Sequence, residues 1–376
     1  MGCLFSKENR QKSRATLYEV QDSAPNTPVK PPAPGKTPSG SRSAATAPAA
    51  AKPAPAASKA APLPKPKLDP RDFIFLKRKG EKLVKAPGTI NGQQFVIDSC
   101  EDCEIYVMDM CDSLMIDDCT NCKIVVGPTT GSIFIRDCED CQCVFMCRQF
   151  RSRDCKNLDT FLHVTTRPII ETSSNMRFGC WDFHYEGLAA QMAAAGISVY
   201  QNFWSNIYNF NPSDKSWSLL PADATCIAAL GPLPDFPELE GVANLLAGGC
   251  SPPLCARTWG ERDAPDASGE GCLIMISAAD AHMAKELLQM AETAKVLLVR
   301  TNICQLSEAW LKPFLEEGGV EGGDMVKALA TGKCVGLEFG GAGCAEALRG
   351  VASSGGFALL DRPDHYAEWR YMGVEG

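Results

Sequence analysis

Between residues 95 and 164 the chain alternates apolar and polar positions in short runs, and the runs recur. One unit begins at Phe95 (FVIDSCEDCEIYVMDMCDS), the next at Leu114 (LMIDDCTNCKIVVGPTTGS), a third at Ile133 (IFIRDCEDCQCVFMCRQ) and a fourth at Phe150 (FRSRDCKNLDTFLHV). The first two steps are nineteen residues and the third is seventeen. Alternation of period two is the strand signature, so each unit predicts two short strands joined at a Cys-x-x-Cys bend. A single unit cannot bury its apolar face, whereas stacked units can. The pattern therefore predicts a parallel β-helix. Phe95, Leu114, Ile133 and Phe150 would form one interior ladder, Ile97, Ile116 and Ile135 a second, and Ile105, Ile124 and Cys143 a third.

The paired cysteines admit two readings. Two Cys-x-x-Cys pairs, at 100–103 and 119–122, have the spacing of a structural zinc site. The repeat, however, puts Cys100, Cys119, Cys138 and Cys155 at one position and Cys103, Cys122, Cys141 and Leu158 at another. Leucine fills an apolar slot but binds no metal, and the residues between the pairs are polar, as suits an exposed corner. An interior thiol ladder thus accounts for more residues than a metal site does, and no metal is assigned.

If the first and third positions of each unit point inward, the second and fourth point outward. The second positions are Val96, Met115, Phe134 and Arg151, and the fourth are Asp98, Asp117, Arg136 and Arg153. Arg151 and Arg153 then share one outward face, with Arg136 a layer away. The plain reading is a solvated basic patch. The sharper one is anion recognition, because a planar, always-charged fork mounted on a rigid strand suits phosphate.

The chain opens MGCLFSKENRQKSR. Gly2 with Ser6 fits a myristoylation pattern, and Cys3 stands where a palmitoyl group would follow. A second acyl chain and the basic residues Lys7, Arg10, Lys12 and Arg14 would turn marginal attachment into stable attachment. Residues 15–68 are rich in Pro, Ala, Ser and Lys, a composition expected to remain an extended tether. No secretory signal is read at the start, and no apolar run of about 18 residues occurs, the length a membrane-spanning helix needs. The net charge of −8 over 376 residues argues against a nucleic-acid partner. The 19 cysteines fit a reducing compartment.

Toward the C-terminus, 222–268 is rich in Pro and Gly and reads as a linker. From 269 the pattern alternates: strand at 272–278, helix at 280–295, strand at 296–301, helical stretches at 306–317 and 324–332, strand at 333–339, helix at 343–353, strand at 356–361. Such alternation predicts an α/β layer. The Gly-rich FGGAGCAEALRG is a weak candidate for a phosphate site at a helix start.

The run GTINGQQFVIDSCEDCEIYV, IDDCTNC, GSIFIRDCEDC, CRQFRSRDC, RPIIETSSNMRFGCW, NFWSNIYNF and SWSLLP resembles the retinitis pigmentosa 2 family, over residues 1–7 and about 70–221 and more loosely beyond. The resemblance implies a lipidated membrane-anchor segment (1–14), a disordered linker (15–68), a tubulin-cofactor-C-like right-handed parallel β-helix (69–221), a linker (222–268) and a degenerate, ferredoxin-like nucleoside diphosphate kinase-like domain (269–376). It also implies a GTPase-activating protein for an Arf-like small GTPase in its GTP form, with Arg151 of Gln149-Phe150-Arg151 as an arginine finger supplied in trans. Gln149 and Glu171 fall on positions that hold the finger or meet the GTPase. Phe210 falls on an aromatic contact position, with Arg153 and Arg148 beside the same partner. The family carries Gln where this chain has Arg148. GTP and Mg would sit on the partner, and this chain would bind no cofactor itself. Myristoyl and palmitoyl groups on Gly2 and Cys3 would place it on the cytoplasmic face of the plasma membrane, in a ciliary or basal-body region, in the trafficking of lipidated proteins. Two other readings stay open: a non-catalytic GTPase- or tubulin-related scaffold, and a nucleotide-processing enzyme run by the C-terminal domain. That last chemistry needs an Asn-x-x-His-Gly-Ser-Asp context, which the sequence lacks; the C-terminal domain offers only His282 and His365.

Overall fold

The repeat closes into a solenoid. A computed structural model describes residues 69–213, 215–232, 254–263, 269–307, 309–310, 329, 332–355, 357–362 and 366–372. Gly2, Cys3, the segments 1–14 and 15–68, and His365 lie outside the described residues.

The strands are β1 (Ile74–Leu76), β2 (Lys82–Lys85), β3 (Phe95–Asp98), β4 (Glu104–Val107), β5 (Leu114–Asp117), β6 (Lys123–Arg136) and β7 (Gln142–Arg153). They continue as β8 (Asp159–Val164), β9 (Ile169–Glu171), β10 (Met176–Cys180), β11 (Tyr208–Asn209) and β12 (Trp217–Leu219). All pairings among them are parallel. One face stacks β1, β3, β5, the second halves of β6 and β7, β9 and β11. A second face stacks β2, β4, the first halves of β6 and β7, β8, β10 and β12. Between them runs a ladder of single bridges from Lys79 through Glu101, Thr120, Glu139 and Lys156 to Ser174.

The predicted ladders are present in register. Phe95 pairs with Leu114, Leu114 with Ile133 and Ile133 with Phe150, each fully buried. Ile97, Ile116 and Ile135 form the second ladder and Ile105, Ile124 and Cys143 the third. The corner thiols of Cys100, Cys103, Cys119, Cys122, Cys138, Cys141 and Cys155 are interior, and Leu158 takes the same slot as Cys141 one turn on. Each thiol is unpaired and lies near backbone carbonyls, as Cys119 Sγ does to the Asp117 oxygen at 3.3 Å. Burial pushes the Cys138 and Cys143 thiols well above the ordinary range and Cys111 up to about 12. They behave as small apolar side chains.

The corner turns on its Asp and Asn residues. The residue before each corner cysteine pair (Ser99, Asp118, Asp137, Asp154) and the residue before each second position (Asp102, Asn121, Asp140, Asn157) have φ of 51–56°, in the left-handed region. Asn and Asp tolerate this conformation better than other non-Gly residues. Their side chains also bond between turns: Asn121 Nδ2 donates to Asp102 Oδ1 at 2.7 Å, and Asn157 Nδ2 to Asp140 Oδ1 at 2.9 Å.

Two outward positions are less exposed than the alternation predicts. Asp117 is buried because Arg136 lies over it, with Nε and Nη2 donating to its two oxygens at 2.7 and 2.8 Å. Val96 is 9% exposed.

The stretch read as a linker is partly packed. Helix α1 (Leu188–Ala195) and α2 (Cys226–Leu230) cover the second solenoid face, burying Met192, Cys226 and Leu230 with Phe161, Trp181 and Phe183. Residues 254–263 form a strap. Cys255 joins the same cluster, and Trp204 Nε1 donates to Thr258 Oγ1 at 2.8 Å. The reason is apolar demand: a solenoid face with large outward aromatics needs a cover. The strap continues into the second sheet, where Trp259 and Gly260 N–H donate to the Leu298 and Val299 carbonyls at 2.8 and 2.9 Å.

That sheet contains β13 (Gly271–Ser277), β14 (Leu297–Gln305), β15 (Lys333–Gly340) and β16 (Ala358–Leu360), in the order β14-β15-β13-β16 with all neighbours antiparallel. Helix α3 (Ala284–Thr293) links β13 to β14 and α4 (Cys344–Gly355) links β15 to β16. This is the order of a split β-α-β arrangement. The Gly-rich turn before α4 does not offer a free anion site, because Glu270 Oε2 already accepts the Gly343 N–H at 2.6 Å.

Candidate functional site

Solenoid register assembles the candidate residues on one face. In the first outward column Phe134 pairs with Arg151, Arg151 with Ile169 and Ile169 with Tyr208. In the second, Asp117 pairs with Arg136, Arg136 with Arg153 and Arg153 with Glu171. Phe210 extends that column, its N–H donating to the Ile170 carbonyl at 3.0 Å. Gln149 stands two residues before Arg151 on the same side of β7 and accepts from Ser132 Oγ at 3.1 Å.

The arginines differ in how they are held. Arg136 is fixed by Asp117 and lies 5.0 Å from the centre of the Phe134 ring. Arg153 lies 5.9 Å from the same ring and 3.6 Å from Asp154. Arg151 is exposed, and its guanidinium has no hydrogen bond or ion pair with the described residues. Its backbone, in contrast, is locked between β6 and β9. Such a group keeps its full donor set for an incoming anion.

Arg148 sits off this face, at the corner where β7 passes from one sheet face to the other. Its side chain is exposed, and its carbonyl accepts Thr165 Oγ1, Thr166 Oγ1 and the Thr166 N–H at 3.3, 3.0 and 3.1 Å. The alternation missed an aromatic ledge beside the arginines. Tyr208 and Phe210 are 43% and 53% exposed, their rings meet edge to face at 5.0 Å, and Arg167 lies 5.4 Å from the Tyr208 ring centre. The available signal was the alternation in Ile207-Tyr208-Asn209-Phe210. Exposed aromatics beside arginines have the composition of a protein-binding patch. A cavity of about 830 Å³ lies elsewhere, between the strap, α3 and Tyr200, and involves none of these residues. Among the described residues no group of three or more His, Cys, Asp or Glu side chains has a metal-holding arrangement.

Residues 92–210 match the family model "Tubulin binding cofactor C". The chain is thus a protein with a tubulin-cofactor-C-type parallel β-solenoid. It is 38% identical to Protein XRP2 of Danio rerio over 94% of this chain and 91% of that protein. It is 42% identical to Protein XRP2 of Homo sapiens over 74% and 79%, and 31% identical to Tubulin-folding cofactor C of Arabidopsis thaliana over 41% and 46%. The chain belongs to the XRP2, or retinitis pigmentosa 2, family.

Proposed function

We propose that the arginine face docks an Arf-like small GTPase in its GTP form and that Arg151 enters the nucleotide site as an arginine finger. The observation that carries this reading is the contrast on one strand: Arg153 rests on Asp154 and Phe134, while Arg151 is exposed, rigidly mounted and unpartnered among the described residues. A guanidinium delivered to the γ-phosphate offsets charge that develops in the transition state. Gln149 braces the strand beside it, and Glu171, Arg153 and the Tyr208–Phe210 ledge meet the partner's protein surface. Lipids on Gly2 and Cys3, with the 15–68 tether, would hold the face near the cytoplasmic side of the plasma membrane, where an activator serves the ciliary delivery of lipidated proteins. The C-terminal sheet, with its split β-α-β order, we read as a nucleoside diphosphate kinase-like domain without kinase activity.

Single-turnover GTP hydrolysis by a panel of Arf-like GTPases tests the proposal. The protein should accelerate one of them, and Arg151→Ala should remove an acceleration on the order of 10³–10⁵ while leaving the complex intact. Equal acceleration by Arg151→Ala would sink the catalytic role. A second reading, a non-catalytic scaffold, is favoured by the ledge, which offers docking area independent of Arg151. Affinity that depends on Phe210 without any rate increase would select it.

A further inference from the structure

The cavity of about 830 Å³ between the strap, α3 and Tyr200 takes its walls from both layers. Val199 and Leu254 edge the apolar cluster on the solenoid face, and Leu288, Val296 and Leu298 edge that of the sheet. All five line the cavity and are only partly buried, so neither core covers them. Aliphatic groups left uncovered around such a space favour an apolar occupant over water. The volume falls within the ~300–1,000 Å³ of sites for small ligands.

Helix α3 serves two surfaces. Ala284, Leu287 and Ala291 are buried against the sheet. Lys285, Leu288, Gln289 and Glu292, at i, i+3, i+4 and i+7, form the neighbouring stripe and line the cavity.

The charges on the wall are unequal. Three cations, Arg257, Arg262 and Lys285, line it with one carboxylate, Glu292. Asp182 lies 3.7 Å from Arg257 and offsets that charge. Arg262 donates to the carbonyls of Leu220 and Trp259, which hold the guanidinium without neutralising it. Burial, and then the neighbouring Arg257, lower its pKa. Lys285 is exposed and has no hydrogen bond or ion pair with the described residues, so its three donors are free for an incoming anion.

Such a wall suits an amphiphile with one anionic end. A ring recognised by its edge needs convergent donors and acceptors. Here Thr258 Oγ1 already accepts the Trp204 Nε1 proton at 2.8 Å, and the aliphatic groups offer no directed contact. A flexible hydrocarbon chain needs only the apolar wall. At ~30 Å³ for each water-sized group the space holds about 28 of them, room for a dozen methylenes or more with their head group.

We propose that this cavity binds a long-chain carboxylate, its tail against Leu254, Leu288, Val296 and Leu298 and its head on the Lys285 ammonium. Calorimetric titration of the full-length protein with decanoate, dodecanoate and tetradecanoate, each below its micelle concentration, tests it. Dodecanol, dodecyltrimethylammonium and a neutral peptide with an N-terminal dodecanoyl group serve as comparisons. Dodecanoate should bind at about 100 μM or below, and affinity should rise about two- to fourfold with each added methylene. Dodecanol should bind about tenfold more weakly, for want of the charged head, and the cation and the peptide more weakly than dodecanoate. Lys285→Gln, at an exposed position, should cost dodecanoate about tenfold and leave dodecanol unchanged. Ala256→Phe, which fills part of the cavity, should weaken both, and the chain-length series on the unaltered protein serves the same purpose where that variant does not fold. The proposal is overturned if no carboxylate binds, if affinity does not rise with chain length, if dodecanol, the cation or the peptide binds as tightly as dodecanoate, or if Lys285→Gln leaves dodecanoate affinity unchanged.

Discussion

Arg136 and Arg151 occupy neighbouring rungs of one face, yet their environments assign them opposite work. Asp117 has a side chain 2% exposed and relies on the Arg136 fork for its compensation. Removing that fork strands a buried carboxylate, so Arg136→Ala should destabilise the protein by about 3 kcal/mol. Arg151→Ala removes a group without a described partner and should stay within about 0.5 kcal/mol of wild type. Denaturant unfolding of the two variants checks the contrast. His163 is a second residue whose state is set by its surroundings. It is fully buried, its Nε2 lies 2.9 Å from the Ser198 carbonyl, and burial lowers its pKa to about 4. An unfolded histidine titrates near 6.5. Between those values the unfolded chain takes up a proton that the folded one refuses. Stability is therefore full above about pH 7, falls as pH drops through 6.5, and loses roughly 2 kcal/mol from this group by pH 5. Unfolding measured across that window should show the slope, and His163→Gln should flatten it.

At the scale of the element, the corner is the unit that makes the solenoid possible. Each bend places two residues in the left-handed region, where a side chain branched at Cβ is strained. Asn157→Val should cost about 1–2 kcal/mol from conformation alone and also lose the bonds to Asp140 and Asn175, whereas Asn157→Gly should recover most of the conformational part. A melting series of Asn157→Val, →Ala and →Gly measures the ranking, and Gly below Val would refute the backbone account. These corners also show what the sequence made legible. The spacing of cysteines revealed the coil because thiols fill a small interior slot at a fixed register. The reading stopped at the fourth unit because Ser173 and Met176 take over the slots that cysteine and leucine hold before them, and Ser173 Oγ accepts the Cys155 N–H at 3.1 Å. Rungs β1, β9 and β11 carry no cysteine pair, so their membership became visible only through pairing in space. Arg151 and Arg153 were legible because parity along one strand fixes their side, whereas Gln149 was named only through the family resemblance. The alternation did not reach the Tyr208–Phe210 ledge, of which the resemblance supplied only Phe210, because the ledge meets the same face through a separate rung.

Over the whole molecule, solenoid and sheet are joined by the strap, and its composition had suggested only slack chain. Arg262 is the fastener. Its guanidinium lies 5.0 Å from the Trp204 ring centre on the solenoid side and 5.6 Å from that of Trp259, which is itself bonded to β14. Its Nη2 donates to the Leu220 carbonyl at 2.6 Å, and its Nη1 to that of Trp259. Partly desolvated cation–π contacts and charge-assisted bonds together contribute roughly 2–4 kcal/mol. Coupling of that size is enough to make two layers unfold as one, since each loses the other's support on opening. Arg262→Ala should therefore split a single calorimetric transition of the full chain into two, with the C-terminal sheet melting first because part of its edge is completed by the strap. Arg262→Lys should restore the charge without the planar stack or the bidentate reach, and so recover only part of the cooperativity. A single unsplit transition in Arg262→Ala would mean that the strap's backbone bonds to β14 and the Tyr200 Oη–Ala281 carbonyl bond at 3.2 Å hold the layers together without it.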